Sequence, residues 1–106
     1  MSKYLVRASY TAEGVKGLLK DGGTSRRAVV EQLVNAAGGS LEFFYYAFGK
    51  DDVVIIADVP DHAAMTAISL AVGASGAVTL NTTVLITPEE VDEACRKSVD
   101  YHPPGV

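Results

Sequence analysis

The 106-residue sequence predicts an α+β fold in which helices cover one face of a four-stranded antiparallel sheet. Three observations indicate this class: four segments with strand composition or alternation, two apolar stripes with helical spacing, and a strand–turn–strand segment between the helices. Their order is strand, helix, strand, strand, helix, strand, with one further helix at the end. A chain of this length builds one core, so we predict a single domain over residues 1–106.

The first part of the chain predicts one strand and a divided helix. Residues Lys3–Tyr10 are rich in β-branched and aromatic residues and contain no proline or glycine, which is typical of a strand. Thr11 is the predicted N-cap of a helix that the glycine pair 22–23 interrupts. Thr24 or Ser25 is predicted to cap a second helical segment. The apolar stripe of that segment consists of Val30, Leu33, Val34 and Ala37.

A hairpin and a second helix follow. Leu41–Phe48 and Val53–Val59 are predicted as strands, and residues 49–52 have the composition of the turn between them. The next segment has helical spacing and is predicted to end near Gly73 or Gly76. Its apolar stripe consists of Met65, Ile68 and Val72, with Ala64 and Ala71 beside them.

The last part of the chain predicts a strand, a short helix and a tail. Val78–Ile86 alternates between apolar and polar residues over most of its length, as a strand with two different faces does. Residues 87–90, Thr-Pro-Glu-Glu, combine an N-cap, a proline at the first helical position and a glutamate three residues after the cap. This capping box predicts a helix to about Val99, followed by the tail Tyr101–Val106.

The predicted order is that of the split βαβ, or ferredoxin-like, fold. In its second strand, Phe43 and Tyr45 lie on one side while Phe44 and Tyr46 lie on the other, so both faces of the sheet are apolar. Helices on one face leave the other face as an exposed apolar patch, and such patches mark interfaces. We therefore expect two chains to pair face to face in a C2 homodimer, or a higher even-numbered homo-oligomer, with the proline-containing tail on the partner.

Composition argues against several classes of protein. The net charge of -4 and the absence of a Lys/Arg stripe argue against nucleic-acid binding. One cysteine, Cys95, excludes an intrachain disulfide, and we expect it to be half-buried. No apolar run approaches the roughly 20 residues that cross a bilayer, and the first residues lack an apolar signal region. We expect no membrane association and a cytoplasmic location.

Several segments together resemble the GYD-domain family. They are Tyr4–Thr11, Arg26-Arg27, the Phe48-Gly49 turn with residues 52–56, Ser75–Val78 and Thr87–Val91. Gly49 and Asp52 occupy the outer places of the family's Gly, Tyr, Asp signature, and Asp51 stands where the tyrosine is expected. The family is similar to the dimeric α/β-barrel superfamily, which includes cofactor-free monooxygenases, isomerases and haem enzymes. The resemblance implies a fold and a dimer interface, and it implies no catalytic residues.

Polar residues on the strands are the candidates for a ligand site, because a polar side chain inside a barrel needs a partner. Because side chains alternate along a strand, these residues are predicted to share one face of the sheet. If the hairpin loop has four residues, Tyr45 lies on that face. If the loop is one residue longer or shorter, Tyr46 takes its place. Arg7 and Asp58 are predicted to pair, either beside a small organic ligand or simply to neutralise each other across the sheet or the dimer. The candidate ligand-binding residues are Arg7, Ser9, Tyr45, Asp58, Asn81 and Thr83.

Other polar features favour structural interpretations. The segment 22–27 is better explained as a helix kink with surface arginines than as an anion site. No spacing pairs His62 with His102, and we expect both to be solvated. The adjacent Asp51 and Asp52 fit turn propensity, so we expect neither a metal nor a cofactor.

Three functions remain open from the sequence. The first is a homo-oligomeric barrel that binds a small, partly apolar organic ligand. The second is a cofactor-free oxygenase or isomerase in which a tyrosine or His62 lies beside the substrate. The third is a purely structural protein whose sheet faces exist to assemble, and fold alone does not choose among the three.

Overall fold

The computed structural model describes residues 1–106 and contains the predicted elements in the predicted order. All four helices end before they reach the length needed to cross a bilayer. The strands are β1 (Ser2–Tyr10), β2 (Ser40–Tyr46), β3 (Val53–Val59) and β4 (Val78–Leu85). The helices are α1 (Ala12–Asp21), α2 (Gly23–Ala36), α3 (His62–Ala74) and α4 (Pro88–Cys95).

The four strands form one antiparallel sheet in the order β2-β3-β1-β4. β1 lies between β3 and β4, and it pairs Arg7 with Val54 on one side and with Asn81 on the other. This order and pairing are those of the ferredoxin-like fold, which confirms the predicted class. The two helical units, α1 with α2 and then α3, each connect two consecutive strands that are not neighbours in the sheet.

The core lies between the sheet and the helices on one face. Because side chains alternate along a strand, Tyr4, Val6 and Ala8 of β1 and the odd-numbered residues of β3 point to the helices and are buried. α2 contributes Val34 and α3 contributes Met65 and Ile68 to the same cluster. The opposite face, which we call the open face, is covered by no element of the chain.

The first helical segment is divided where glycine was predicted to interrupt it. Thr11 caps α1 by accepting a hydrogen bond from the Gly14 amide, as predicted. Gly22 has a φ of 84° and stands between α1 and α2, and this left-handed conformation favours glycine. The predicted cap at Thr24 or Ser25 is wrong, because α2 begins at Gly23 with Gly22 as its N-cap and no side-chain cap.

β2 departs from regular pairing with β3 at Glu42. Leu41 pairs with Ala57, whereas Phe43 pairs with Ile56, so Glu42 is an extra residue in the strand. Such a bulge reverses the alternation that follows it. It is the reason that Phe43 and Tyr45 lie on the open face.

The ends of the hairpin and of the last helix differ from the sequence prediction. β2 ends at Tyr46, and residues 47–52 form the loop, so Phe48 is fully exposed in the loop instead of ending the strand. The capping box of α4 is present, with reciprocal hydrogen bonds between Thr87 and Glu90. α4 ends at Cys95, four residues before the predicted end at Val99.

Candidate functional site

The open face is organised as three rows of side chains that run across all four strands. The central row contains Tyr45, Val54, Arg7 and Asn81. The second contains Phe43, Ile56, Leu5 and Thr83, and the third contains Ser40, Asp58, Lys3 and Leu85. The face is therefore mixed, with polar groups set among aliphatic and aromatic side chains.

All six candidate ligand-binding residues lie on this open face, at different distances from one another. Three of them, Arg7, Tyr45 and Asn81, share the central row. Thr83 is in the adjoining row, and Ser9 follows Arg7 two residues along β1. Asp58 is in the third row, four residues along β3 from the partner of Arg7. The strip of six is interrupted by Val54 between Tyr45 and Arg7 and by Leu5 and Lys3 between Asp58 and Thr83, and Asp58 lies at its far end.

Within one chain, the predicted ion pair between Arg7 and Asp58 does not form. Four strand residues separate their rows, which is about 13 Å. Arg7 instead has its Nε atom 3.9 Å from Oδ2 of Asp51 in the hairpin loop. Since both partners are partly exposed, this contact contributes little and leaves the guanidinium available on the face.

Asp58 belongs to a cluster with Lys3 and Glu42 that sequence reasoning missed. Lys3 Nζ donates a hydrogen bond to Glu42 Oε1 and another, at 3.4 Å, to Asp58 Oδ2. The hydrogen bond to Glu42 is the main cause that raises the pKa of Lys3 above its ordinary value. The amine is therefore cationic at neutral pH, which excludes it as a nucleophile. The bulge at Glu42 makes the cluster, and no sequence periodicity reveals a bulge.

The second carboxylate oxygen of Asp58 has no hydrogen-bond partner although it is buried. A buried acceptor without a donor is costly, and native structures have few of them. This oxygen therefore marks a place on the open face where a donor from outside the chain would be stabilised.

A separate cavity lies on the other side of the sheet, beneath α2 and α3. It encloses about 110 Å³, and 16 of the 17 residues that line it are hydrophobic. Arg26 is the polar exception. The residues that form its floor are those of the core, among them Val6, Ile55 and Ala57. The cavity shows that α2 and α3 do not fill the space above the sheet.

Tyr10 also lines this cavity, close to Arg26. Burial raises the pKa of Tyr10 to about 12, with the neighbouring Tyr46 as a further cause. Tyr46 donates a hydrogen bond of 2.9 Å to the carbonyl of Gly23 and so holds the start of α2 against β2. Tyr10 is therefore a neutral structural group near pH 7. Nη1 of Arg26 lies 3.9 Å from Oδ2 of Asp21. One of the two adjacent arginines in segment 22–27 therefore has a carboxylate partner within the chain.

His62 is exposed, as the sequence predicted, and it also has a partner in the core. Its Nδ1 shares a hydrogen bond with the hydroxyl of Tyr4, whose side chain is buried in the core. The two rings meet edge to face with centroids 5.7 Å apart. Tyr4 points to the helices, so the sheet lies between His62 and the open face. A reaction on the open face of the same chain is therefore out of reach of this histidine.

Comparison with known proteins places the chain in a family. The family model described as GYD domain matches residues 4–95, which is most of the chain. The chain belongs to the GYD-domain family. Comparison with the curated proteins and with the solved structures gives no significant match.

The signature turn of this GYD-domain chain has a structural role at the hairpin. Asp52 Oδ2 accepts a hydrogen bond of 2.8 Å from the amide of Tyr10, and the Asp52 amide donates one of 2.9 Å to the carbonyl of Ala8. These bonds fix the loop to the end of β1. Asp51, in the place of the signature tyrosine, faces Arg7.

The remaining candidate groups of this GYD domain are dispersed. No three His, Cys, Asp or Glu side chains come together as a metal site would require. The ring of His102 contacts the carbonyl of Val106 within the tail. Cys95 is exposed and not half-buried as predicted, because α4 does not pack on the domain.

Proposed function

We propose that this GYD-domain protein is a homodimer whose two open faces pack together and hold a small, partly apolar organic ligand. The observation that carries the proposal is the uncovered face itself, with its aromatic and aliphatic side chains and its strip of polar groups. The six residues Arg7, Ser9, Tyr45, Asp58, Asn81 and Thr83 are the polar lining of the proposed site.

The exposed area of one copy supports the dimer. A folded monomer of 11.1 kDa is expected to expose about 5,650 Å². One copy exposes 7314 Å², an excess of roughly 1,650 Å². A stable interface needs about 800 Å² from each partner, and the excess comes from the exposed C-terminal residues 88–106 together with the open face.

The polar groups on the face support a ligand. When two such faces pack, Arg7 loses water and needs a new partner, and the buried oxygen of Asp58 already lacks one. A small molecule with an acidic or polar group near Arg7 and a donor near Asp58 would satisfy both. Its apolar part would lie against Leu5, Val54 and Phe43.

The dimer is tested by charging the centre of the face. Tyr45 is 64% exposed and central, so Tyr45→Glu would place a charge in the interface and give monomers in analytical ultracentrifugation. Leu19, 82% exposed on α1, is the matched control, and Leu19→Glu should leave the dimer intact. A monomeric parent protein, or a dimer that tolerates Tyr45→Glu, would contradict the proposal.

The ligand is tested by native mass spectrometry of gently purified protein against its denatured mass. We expect the dimer to carry extra mass that denaturation releases. Arg7→Met should lose this extra mass. Arg27→Met, on the exposed side of α2, should retain it. Val30→Phe, which fills the cavity beneath α2, should also retain it. Loss with Val30→Phe but not with Arg7→Met would move the ligand to that cavity, and a dimer without extra mass would favour a purely structural role.

A further inference from the structure

The last part of the chain extends away from the domain as an arm. This C-terminal arm, Ile86–Val106, contains α4, and every residue from Pro88 onward is exposed. The molecule measures 58 × 33 × 23 Å, with a radius of gyration of 17.1 Å. A compact chain of this length would have a radius near 13 Å, so the arm makes few contacts with its own domain.

α4 is too short to be stable without a surface to pack against. Isolated helices of fewer than about 12 residues are marginal in water, and α4 has 8. Its capping box and its acidic first turn favour the helix, but such terms contribute only about 1 kcal/mol each. The helix therefore needs tertiary contacts that its own chain does not provide.

α4 has an apolar side and an acidic side, with Glu90 of the capping box at the border beside Ala94. At 100° per residue, Val91, Ala94 and Cys95 lie together on one side. The opposite side carries Glu89, Asp92 and Glu93. The apolar side is a docking surface, and the acidic side is suited to water.

α3 presents the complementary surface. It contains no Asp, Glu, Lys or Arg over its 13 residues, although its outer side faces solvent. A helix without charged residues is normally covered, and the polar residues of α3 near the groove are the uncharged Thr66 and Ser69 together with His62. Leu70 is 69% exposed, and with Thr82 and Val84 of β4 it lines a groove between α3 and the sheet.

We infer that the apolar side of α4 docks in the groove between α3 and β4 of a second copy of the chain. The groove carries no carboxylate that would repel the acidic arm. In the docked position, Val91 contacts Leu70 and Val84, and the acidic side of α4 remains in water. In a C2 pair the exchange is reciprocal and closed. The inference rests on the proposed homodimer for its second copy, but it uses the opposite side of the sheet.

The placement is tested with the single cysteine of the chain, Cys95. In Leu70→Cys, mild oxidation should link Cys95 of one chain to the thiol introduced at position 70 of another. Mass spectrometry of mixed ¹⁴N- and ¹⁵N-labelled chains identifies the link as one between chains. The matched control is Leu19→Cys, equally exposed but on α1, which should not link. A link within one chain, or equal linking in the control, would overturn the inference.

A second variant tests the contribution of the arm to affinity. Val91→Glu places a carboxylate on the docking side, and we expect the dimer dissociation constant to rise about a hundredfold, since two valine contacts of about tenfold each are lost. Glu93→Gln on the opposite side should change it less than threefold. An unchanged constant for Val91→Glu would overturn the inference.

The two proposals fail in different experiments. If the open faces do not pair, Tyr45→Glu leaves the assembly unchanged while the link from Cys95 to position 70 still forms between chains. If the arm does not dock, that link is absent while Tyr45→Glu still produces monomers.

Discussion

Tyr10, a half-buried side chain, makes the stability of the fold depend on pH in the alkaline range. Burial raises its pKa to about 12 from an ordinary value of 10.0. The unfolded chain therefore releases this proton at lower pH than the folded chain does. The stabilisation is fully present below pH 10 and is lost as pH rises from 10 towards 12.

We predict that the free energy of unfolding, measured in urea, falls between pH 10 and pH 12. For Tyr10→Phe, this free energy should fall less steeply over the same range. The pKa of Lys3 is also raised in the folded chain, so its deprotonation destabilises the fold at alkaline pH as well. Some loss of stability therefore remains in Tyr10→Phe. Absorbance of tyrosinate at 295 nm should show one of the five tyrosines ionising late. Identical slopes in the two proteins would refute the assignment to Tyr10.

At the scale of elements, the contact between α1 and the start of β4 depends on a missing side chain. A Cβ on Gly14 would lie 2.0 Å from the carbonyl oxygen of Ala77. That carbonyl also accepts a hydrogen bond from the amide of Thr11, so the backbone cannot yield without loosening the cap of α1. α1 is therefore held close to the sheet by glycine at this position.

We predict that Gly14→Ala lowers the free energy of unfolding by about 2–3 kcal/mol. Gly17 is one turn further along α1, and a Cβ there would meet nothing within 4 Å. Gly17→Ala should instead stabilise the protein by about 1 kcal/mol through helix propensity. Chemical denaturation of both variants checks the pair, and equal effects would contradict the packing argument.

The elements themselves were predictable because periodicity and caps are local. Thr11 and the Thr87 box were predicted from sequence and are present. The predicted cap of α2 was wrong, since Gly22 ends one helix and begins the next without a side-chain hydrogen bond.

The six open-face residues shared a face as parity required, whereas Lys3 and Glu42 joined Asp58 only through a bulge that no local pattern encodes. The cavity depends on how the helices pack on the sheet, which a sequence does not specify by itself.

At the scale of the whole molecule, one copy exposes more surface than its mass requires. If a second copy covers part of that surface, unfolding is coupled to dissociation, and stability depends on protein concentration. We predict that the melting temperature rises by about 3 °C for each tenfold increase in concentration.

Calorimetry over a hundredfold concentration range checks this prediction. Tyr45→Glu should melt at a temperature independent of concentration, while Leu19→Glu should follow the parent protein. A parent protein with a constant melting temperature would argue against any coupling between folding and assembly.

The bulge in β2 has a consequence for how such chains diverge. Deleting Glu42 restores regular pairing with β3 and keeps Phe43 opposite Ile56 and Tyr45 opposite Val54, so both aromatic side chains stay on the open face. The deletion also removes the carboxylate that accepts the hydrogen bond from Lys3. Related chains can therefore gain or lose this charge at the edge of the outer face in a single genetic step while the aromatic surface and the fold stay the same.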